Sequence, residues 1–282
     1  MPTSPLSSAQ EARRRVARDL ESVRLDAGLN KRELAARCGW HESKSSRIEG
    51  ARTAPSDDDI RVWCRACGVP DRAADIIAAN RSAGSMYVQW RKRHGSGMRQ
   101  AQEGALPRYE STSAFRIYCS NVMPGVLQTP GYATELMSLI TEFQGTPNDV
   151  ETAVQARMER SKALHQAGHT FAILLEQSVL YYQPGKPETM AGQLGWLLEA
   201  MSLPAVALGV VPWSAKRAVW PLEAFYVFDD RLVVTETLTA EINVQQPGEI
   251  SDYLRAFTEL SKAAVYGASA RALVTAAINS IG

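Results

Sequence analysis

NKRELAARCGWHESKSSRIEG, residues 30–50, decides the reading of the N-terminal part of this chain. Asn30 with Glu33 three residues on is a helix-start pattern, in which the two side chains satisfy each other's backbone N–H groups. Leu34, Ala35 and Cys38 then form an apolar face, and Gly39 supplies the stop. A second short helix is predicted over Glu42–Glu49, with Ile48 as its main apolar anchor. Ala35 is small where the two helices would cross, and Gly39 permits a tight turn. Two short helices joined this way form a helix-turn-helix, in which the first braces across the DNA backbone and the second enters the major groove. Glu42, Ser43, Lys44, Ser46 and Arg47 give that second helix a polar face able to reach base edges and phosphates. A polar helix face is more often plain solvated surface. The spacing of Ala35, Gly39 and Ile48 and the charge of the flanking sequence favour DNA.

That charge is uneven along the chain. The whole chain carries 31 Lys+Arg against 30 Asp+Glu, yet residues 1–108 hold 20 against 13 (+7) and residues 109–282 hold 11 against 17 (−6). The first part can approach a polyphosphate; the second is repelled by one.

Outward from the motif, Ser8 and Glu11 read as a capping box before a first helix bearing Val16, Leu20, Val23 and Leu25. Pro55-Ser56-Asp57-Asp58-Asp59 opens a fourth helix with Ile60, Trp63, Cys64 and Cys67 facing inward, its acids at the positive end of the helix dipole. A fifth is predicted over 71–79. Residues 1–81 therefore read as an all-α, five-helix domain. Residues 82–108, with Trp90-Arg91-Lys92-Arg93-His94 and a Gly95-Ser96-Gly97 break, read as a linker or connecting helix. Residues 109–282 read as a larger α+β domain. Strands are predicted at 114–119, 170–175, 206–211, 224–228 and 232–237, with a turn at Asp229-Asp230. Helices are predicted after Thr129-Pro130, over 150–166 and 188–201, and as a pair around Gly267.

The segment Leu20–Pro55, including RIEGARTAP (47–55), resembles the Xre family of Cro/cI-like regulators. The resemblance implies that Lys31, Glu42, Ser43 and Arg47 contact bases or nearby phosphates. Arg32, Lys44, Ser46 and Arg52 complete the expected DNA-binding set. It also implies an ion pair between Arg24 and Glu49. Three residues depart from the family pattern: His41 at a cap, Ser45 at an apolar anchor, and Ala51 in place of glycine. Residues 109–133, with MPGVLQTPGYA (123–133) the most specific part, and the later RMERSKAL, VVPW and YLRAFTEL resemble a WhiJ-like actinomycete group carrying a C-terminal domain of unknown function. In that group a small acidic protein is commonly encoded nearby, in an antitoxin-like pairing. Met123, Pro124, Gly125, Gln128 and Thr129 are, on this resemblance, the expected partner or effector surface.

Other signals carry less. Cys64-x-x-Cys67 with Cys38 and His41 has zinc-like spacing, but these positions face the predicted core, where free Cys is a small hydrophobe. His165-x-x-x-His169 reads as a helix C-terminus. The aromatics Tyr181, Tyr182, Trp196, Trp213, Trp220, Phe225 and Tyr226 read mostly as core. No nucleophile elbow, phosphate loop or dinucleotide fingerprint occurs. No apolar run spans a bilayer, and the N-terminus lacks a secretory pattern. The expectation is a cytoplasmic, non-enzymatic, homodimeric regulator of operator DNA, without cofactor or metal. The alternative is an antitoxin-like module that sequesters a small partner and autoregulates its operon.

Overall fold

The computed structural model describes residues 5–281. It divides into two units, Met1–Val88 and Gln89–Gly282.

The first unit contains α1 (Pro5–Asp26), α2 (Lys31–Cys38), α3 (Glu42–Glu49), α4 (Asp57–Ala66) and α5 (Ala73–Met86). Val16, Leu20 and Val23 fall on one stripe of α1 and meet Leu34, Ile48, Ile60 and Trp63 in a single core. Removing each such side chain from water contributes about 1.5–3 kcal/mol. The Trp63 indole donates to the Leu20 carbonyl at 3.1 Å, so the largest core residue is also polar-satisfied. Helix α1 is already formed at Pro5, the first described residue, which places Ser8 inside the helix and not at its cap. Cys64 and Cys67 lie in this core, and burial raises both thiols. Burial pushes Cys38 up to about 11. Among the described residues no three His, Cys, Asp or Glu side chains are placed to hold a metal ion.

A three-residue strand, β1 (Tyr87–Gln89), marks the boundary. The second unit continues with α6 (Trp90–Arg93), α7 (Arg99–Glu103), α8 (Leu106–Ser111), β2 (Ala114–Cys119), α9 (Pro130–Gln144), α10 (Val150–Ser161), β3 (Thr170–Glu176), α11 (Pro187–Ala200), β4 (Val206–Val211), β5 (Phe225–Phe228), β6 (Leu232–Glu236), β7 (Ala240–Val244), α12 (Pro247–Ala263) and α13 (Gly267–Asn279). Much of the segment read as a linker thus belongs to the second unit. Met98, Ala101, Ala105 and Tyr109 are buried, and this spaced apolar set gives α7 and α8 a face to pack. Asp149 holds the start of α7, accepting from the N–H groups of Met98 (2.7 Å) and Arg99 (2.9 Å).

Strand order in the second unit runs β7-β6-β5-β2-β3-β4. Strands β2, β3 and β4 are parallel, with helices in their crossovers. Strands β5, β6 and β7 are antiparallel. Thr129 caps α9, its hydroxyl accepting from the Tyr132 N–H. Asp229 and Asp230 both take positive φ (48° and 55°), which makes the tight β5–β6 turn. Asp229 also accepts from the N–H groups of Ser113 (3.0 Å) and Ala114 (2.7 Å), tying that turn to the start of β2. Strand β7 is absent from the sequence expectation. Its inward Glu241 breaks the apolar pattern and is instead paired with Arg93 and Arg108. Alternation along β5 sends Phe225 toward Tyr253 and Phe257 on α12, and Tyr226 and Phe228 to the opposite face. His165 ends a 3-10 turn and His169 lies beyond it, against Phe115 and Phe171, so the pair does not share one helix terminus.

Candidate nucleic-acid interface and an arginine-lined cavity

The interface is built from α2, the turn and α3. Asn30 accepts from the Glu33 N–H (2.9 Å) while Glu33 accepts from the Asn30 N–H (2.8 Å), which fixes the start of α2. Gly39 ends α2 at φ 70°, a left-handed conformation natural to glycine. His41 then caps α3: its Nδ1 accepts from the Ser43 N–H at 3.3 Å, replacing a hydroxyl cap with an imidazole. Ser45 is fully buried, and its hydroxyl donates to the Glu42 carbonyl at 2.9 Å, so a polar residue fills the apolar position without an orphaned group. Ile48 completes the inward face.

The outward face carries Glu42, Ser43, Ser46 and Arg47, all exposed. Arg32 at the start of α2 and Arg52 just after α3 are also exposed. The two lysines of the expected set are committed elsewhere. Lys44 is 2.6 Å from Asp59 and 4.3 Å from the Trp40 ring centroid. Lys31 lies 3.0 Å from Glu49, which also meets Arg24 at 2.5 Å. Arg24 donates further to the Leu29 carbonyl at 2.7 Å. The Arg24–Glu49 pair is nearly inaccessible to water, so α1, the α1–α2 loop and the end of α3 are locked as one body.

The loop Met123–Thr129 is not a surface. Met123, Val126 and Leu127 have no exposure, and Gln128 retains only 4%. The apolar run Met-Pro-Gly-Val-Leu drives it inward. The aromatic set is likewise split: Phe225 is core, whereas Trp213 and Trp220 are 62% and 72% exposed, with Tyr181 and Tyr182 also exposed. Tyr181 stacks on Trp213 with ring centroids 5.0 Å apart.

What the 123–129 loop does is wall a cavity of about 390 Å³ inside the second unit. Met123, Gly125 and Gln128 line it from the loop, Tyr226, Phe228, Val234 and Glu236 from β5 and β6, and Arg157 and Arg160 from α10. Gln128 accepts from Arg157 Nη1 at 2.6 Å and donates to the Met123 carbonyl at 2.7 Å. Gln102 of α7 accepts from Arg157 Nε at 3.1 Å. Burial, reinforced by neighbouring Arg160, lowers Arg157 to about 10, which leaves it charged near neutral pH. Arg160 lies over the Tyr109 ring (4.9 Å), and its Nε is buried without a hydrogen-bond partner. Glu236 stands directly across the ladder from Glu241. Its carboxyl is raised by burial and then by that like charge. RMERSKAL holds both arginines, yet it enters the sequence reading only as part of a resemblance, with neither given a role in a site. Their i,i+3 spacing, which puts them on one face of α10, was the available signal.

No helix among the described residues is long and apolar enough to cross a membrane. A family model described as a helix-turn-helix domain matches residues 15–75. No curated protein matches the chain. Among solved structures, TrmBL2, an archaeal chromatin protein with a novel mode of DNA binding, aligns over 85% of this chain and 88% of its own, at 11% identity and a TM-score of 0.32. The model described as domain of unknown function (DUF5753) matches residues 104–276, more than half of the chain. The chain belongs to this DUF5753 family, with a helix-turn-helix domain ahead of the family domain.

Proposed function

We propose that this protein is a sequence-specific regulator that binds double-stranded DNA through α3. The observation that carries the reading is the exposed row Glu42, Ser43, Ser46 and Arg47 on a capped short helix, flanked by exposed Arg32 and Arg52. In the major groove Arg47 is placed to bond a guanine edge, with Glu42 and the serines reading neighbouring bases. Arg32 and Arg52 fit phosphate contacts, which set register and not sequence. Lys31 and Lys44 already hold carboxylates, so their reach toward DNA requires exchanging one anion for another. In a homodimer, two copies would read half-sites about 34 Å apart along the duplex.

The test is a pair of binding isotherms, on an operator selected from random DNA and on unrelated DNA. Arg47→Ala weakens operator binding by about 1–3 kcal/mol and leaves nonspecific binding nearly unchanged. Arg52→Ala weakens both and flattens the salt dependence. Equal loss on both DNAs for Arg47→Ala would reassign it to phosphate. Salt-independent binding would reject the interface.

A second reading, an antitoxin-like module that sequesters a small protein through the second unit, is favoured by exposed Trp213 and Trp220. Co-elution with such a protein, lost on replacing both tryptophans, separates this role from DNA binding.

A further inference from the structure

Four arginines (Arg93, Arg108, Arg157 and Arg160) line the cavity of the second unit, against two carboxylates, Glu236 and Glu241. Glu241 is taken by Arg93 at 2.5 Å and Arg108 at 3.8 Å. Neither Arg157 nor Arg160 has a carboxylate within ion-pair distance among the described residues; Arg157 rests on two neutral glutamines. Arg160 has an orphaned Nε and lies over the Tyr109 ring beside Arg157, and Glu236 acts on both arginines from beyond ion-pair distance. Both arginines are half-buried, and half-buried cations without a carboxylate partner are costly; proteins keep them where a ligand supplies the counter-charge.

The surroundings are arranged for these cations. At Gly125 an added Cβ would fall 2.5 Å from Arg160 Nη2, so the absence of a side chain there makes room for the guanidinium. Gln128, from the same loop, orients Arg157. The remaining wall is mixed, with Tyr109, Leu136, Ile140 and Phe228 beside His94, Asn121 and Gln144, and Leu139, Phe143 and Leu238 are exposed at its edge. A space of this size suits a small organic molecule.

We propose that this cavity binds a small amphipathic anion, its oxyanion head held between Arg157 and Arg160 and its apolar body against Tyr109, Tyr226 and Phe228. A planar guanidinium pair accepts carboxylate or phosphate alike. The common requirement is an oxyanion attached to an apolar or aromatic body.

The experiment titrates octanoate and phenyl phosphate into the full chain, with octanol and phenol as neutral matches. It is followed by calorimetry and by tryptophan fluorescence, since Trp90 lines the cavity. At least one anion binds saturably at one site, about tenfold or more tighter than its neutral match. Binding by octanoate alone assigns a carboxylate on a flexible chain; binding by phenyl phosphate alone assigns a phosphate on an aromatic ring. Arg160→Gln weakens the bound anion about tenfold or more. It also leaves the ligand-free melting temperature unchanged or raised, because an uncompensated charge is removed; a merely structural arginine would lower it. The comparison of anion with neutral match uses the unaltered chain and stands even if a variant fails to fold. Absence of saturable binding by either anion at millimolar concentration overturns the proposal. So does equal binding of the neutral match, or unchanged anion affinity in folded Arg160→Gln. No arm involves DNA, so the outcome is independent of the interface proposed above.

Discussion

Arg24 on α1 and Glu49 at the end of α3 meet at 2.5 Å, with both side chains shielded from water. The pair couples α3 to the longest helix of its unit, so disturbing it reaches the surface proposed to bind DNA. Glu49→Ala leaves Arg24 with only the more distant Glu21 carboxylate (3.7 Å), frees Lys31, and is expected to cost about 3 kcal/mol. Amide exchange of α2 and α3 in the full chain measures the loss. Protection unchanged in the variant would show that the Leu29 carbonyl and Glu21 suffice to hold Arg24.

Ala51 takes φ 53°, where an L side chain is disfavoured and glycine is not. Ala51→Gly is therefore expected to stabilise the first unit by about 0.5 kcal/mol, the relief of strain exceeding glycine's entropy cost. Ala51→Val should lose about 1 kcal/mol or more. Denaturant melts of the two variants check the opposite signs.

Gly97 stands at φ 106° with the Asp149 carboxylate where a Cβ would sit. Gly97→Ala must push Asp149 away from the Met98 and Arg99 N–H groups. A loss of about 2 kcal/mol is expected, from overpacking and two weakened hydrogen bonds. Calorimetric melting of the full chain would show it as a lowered transition of the second unit.

His94 is buried, bonds Gln144 at 2.8 Å and stacks on Trp90. Burial lowers its pKa below the usual 6.5, against a smaller opposing effect of Gln144. The folded chain therefore resists protonation while the unfolded chain accepts it. The contribution is full above the unfolded value and is lost as pH falls from there through the folded value. Melting temperatures compared at about pH 7.5 and 5.5, on either side of the ordinary histidine value, should fall less in His94→Gln than in the unaltered chain.

Local chemistry made the first unit legible. Asn30 with Glu33, Gly39 and Ser56 announce helix ends within a few residues, and each cap forms. The strands rich in branched residues, such as Val206–Val211, were equally plain. What stayed hidden depends on partners distant in sequence. Glu241 is an unremarkable polar residue until Arg93 and Arg108, over 130 residues earlier, neutralise it. Nothing near Gly125 announces that its missing side chain accommodates Arg160. Ionic commitments hid the lysines in the same way: Lys44 reads as a free cation in sequence, yet Asp59 and Trp40 hold it.

The position of β2 has a consequence for synthesis. One of its edges is covered by β3, about 55 residues later, and the other by β5, more than 100 residues later. A ribosome-bound chain can finish its N-terminal helices early, while the middle strand of the second unit keeps an open edge until residue 228 has emerged. Such an unpaired apolar edge invites association with other chains. C-terminal truncations ending before β5 should accumulate as aggregates, and chaperone demand should be highest in that interval of translation.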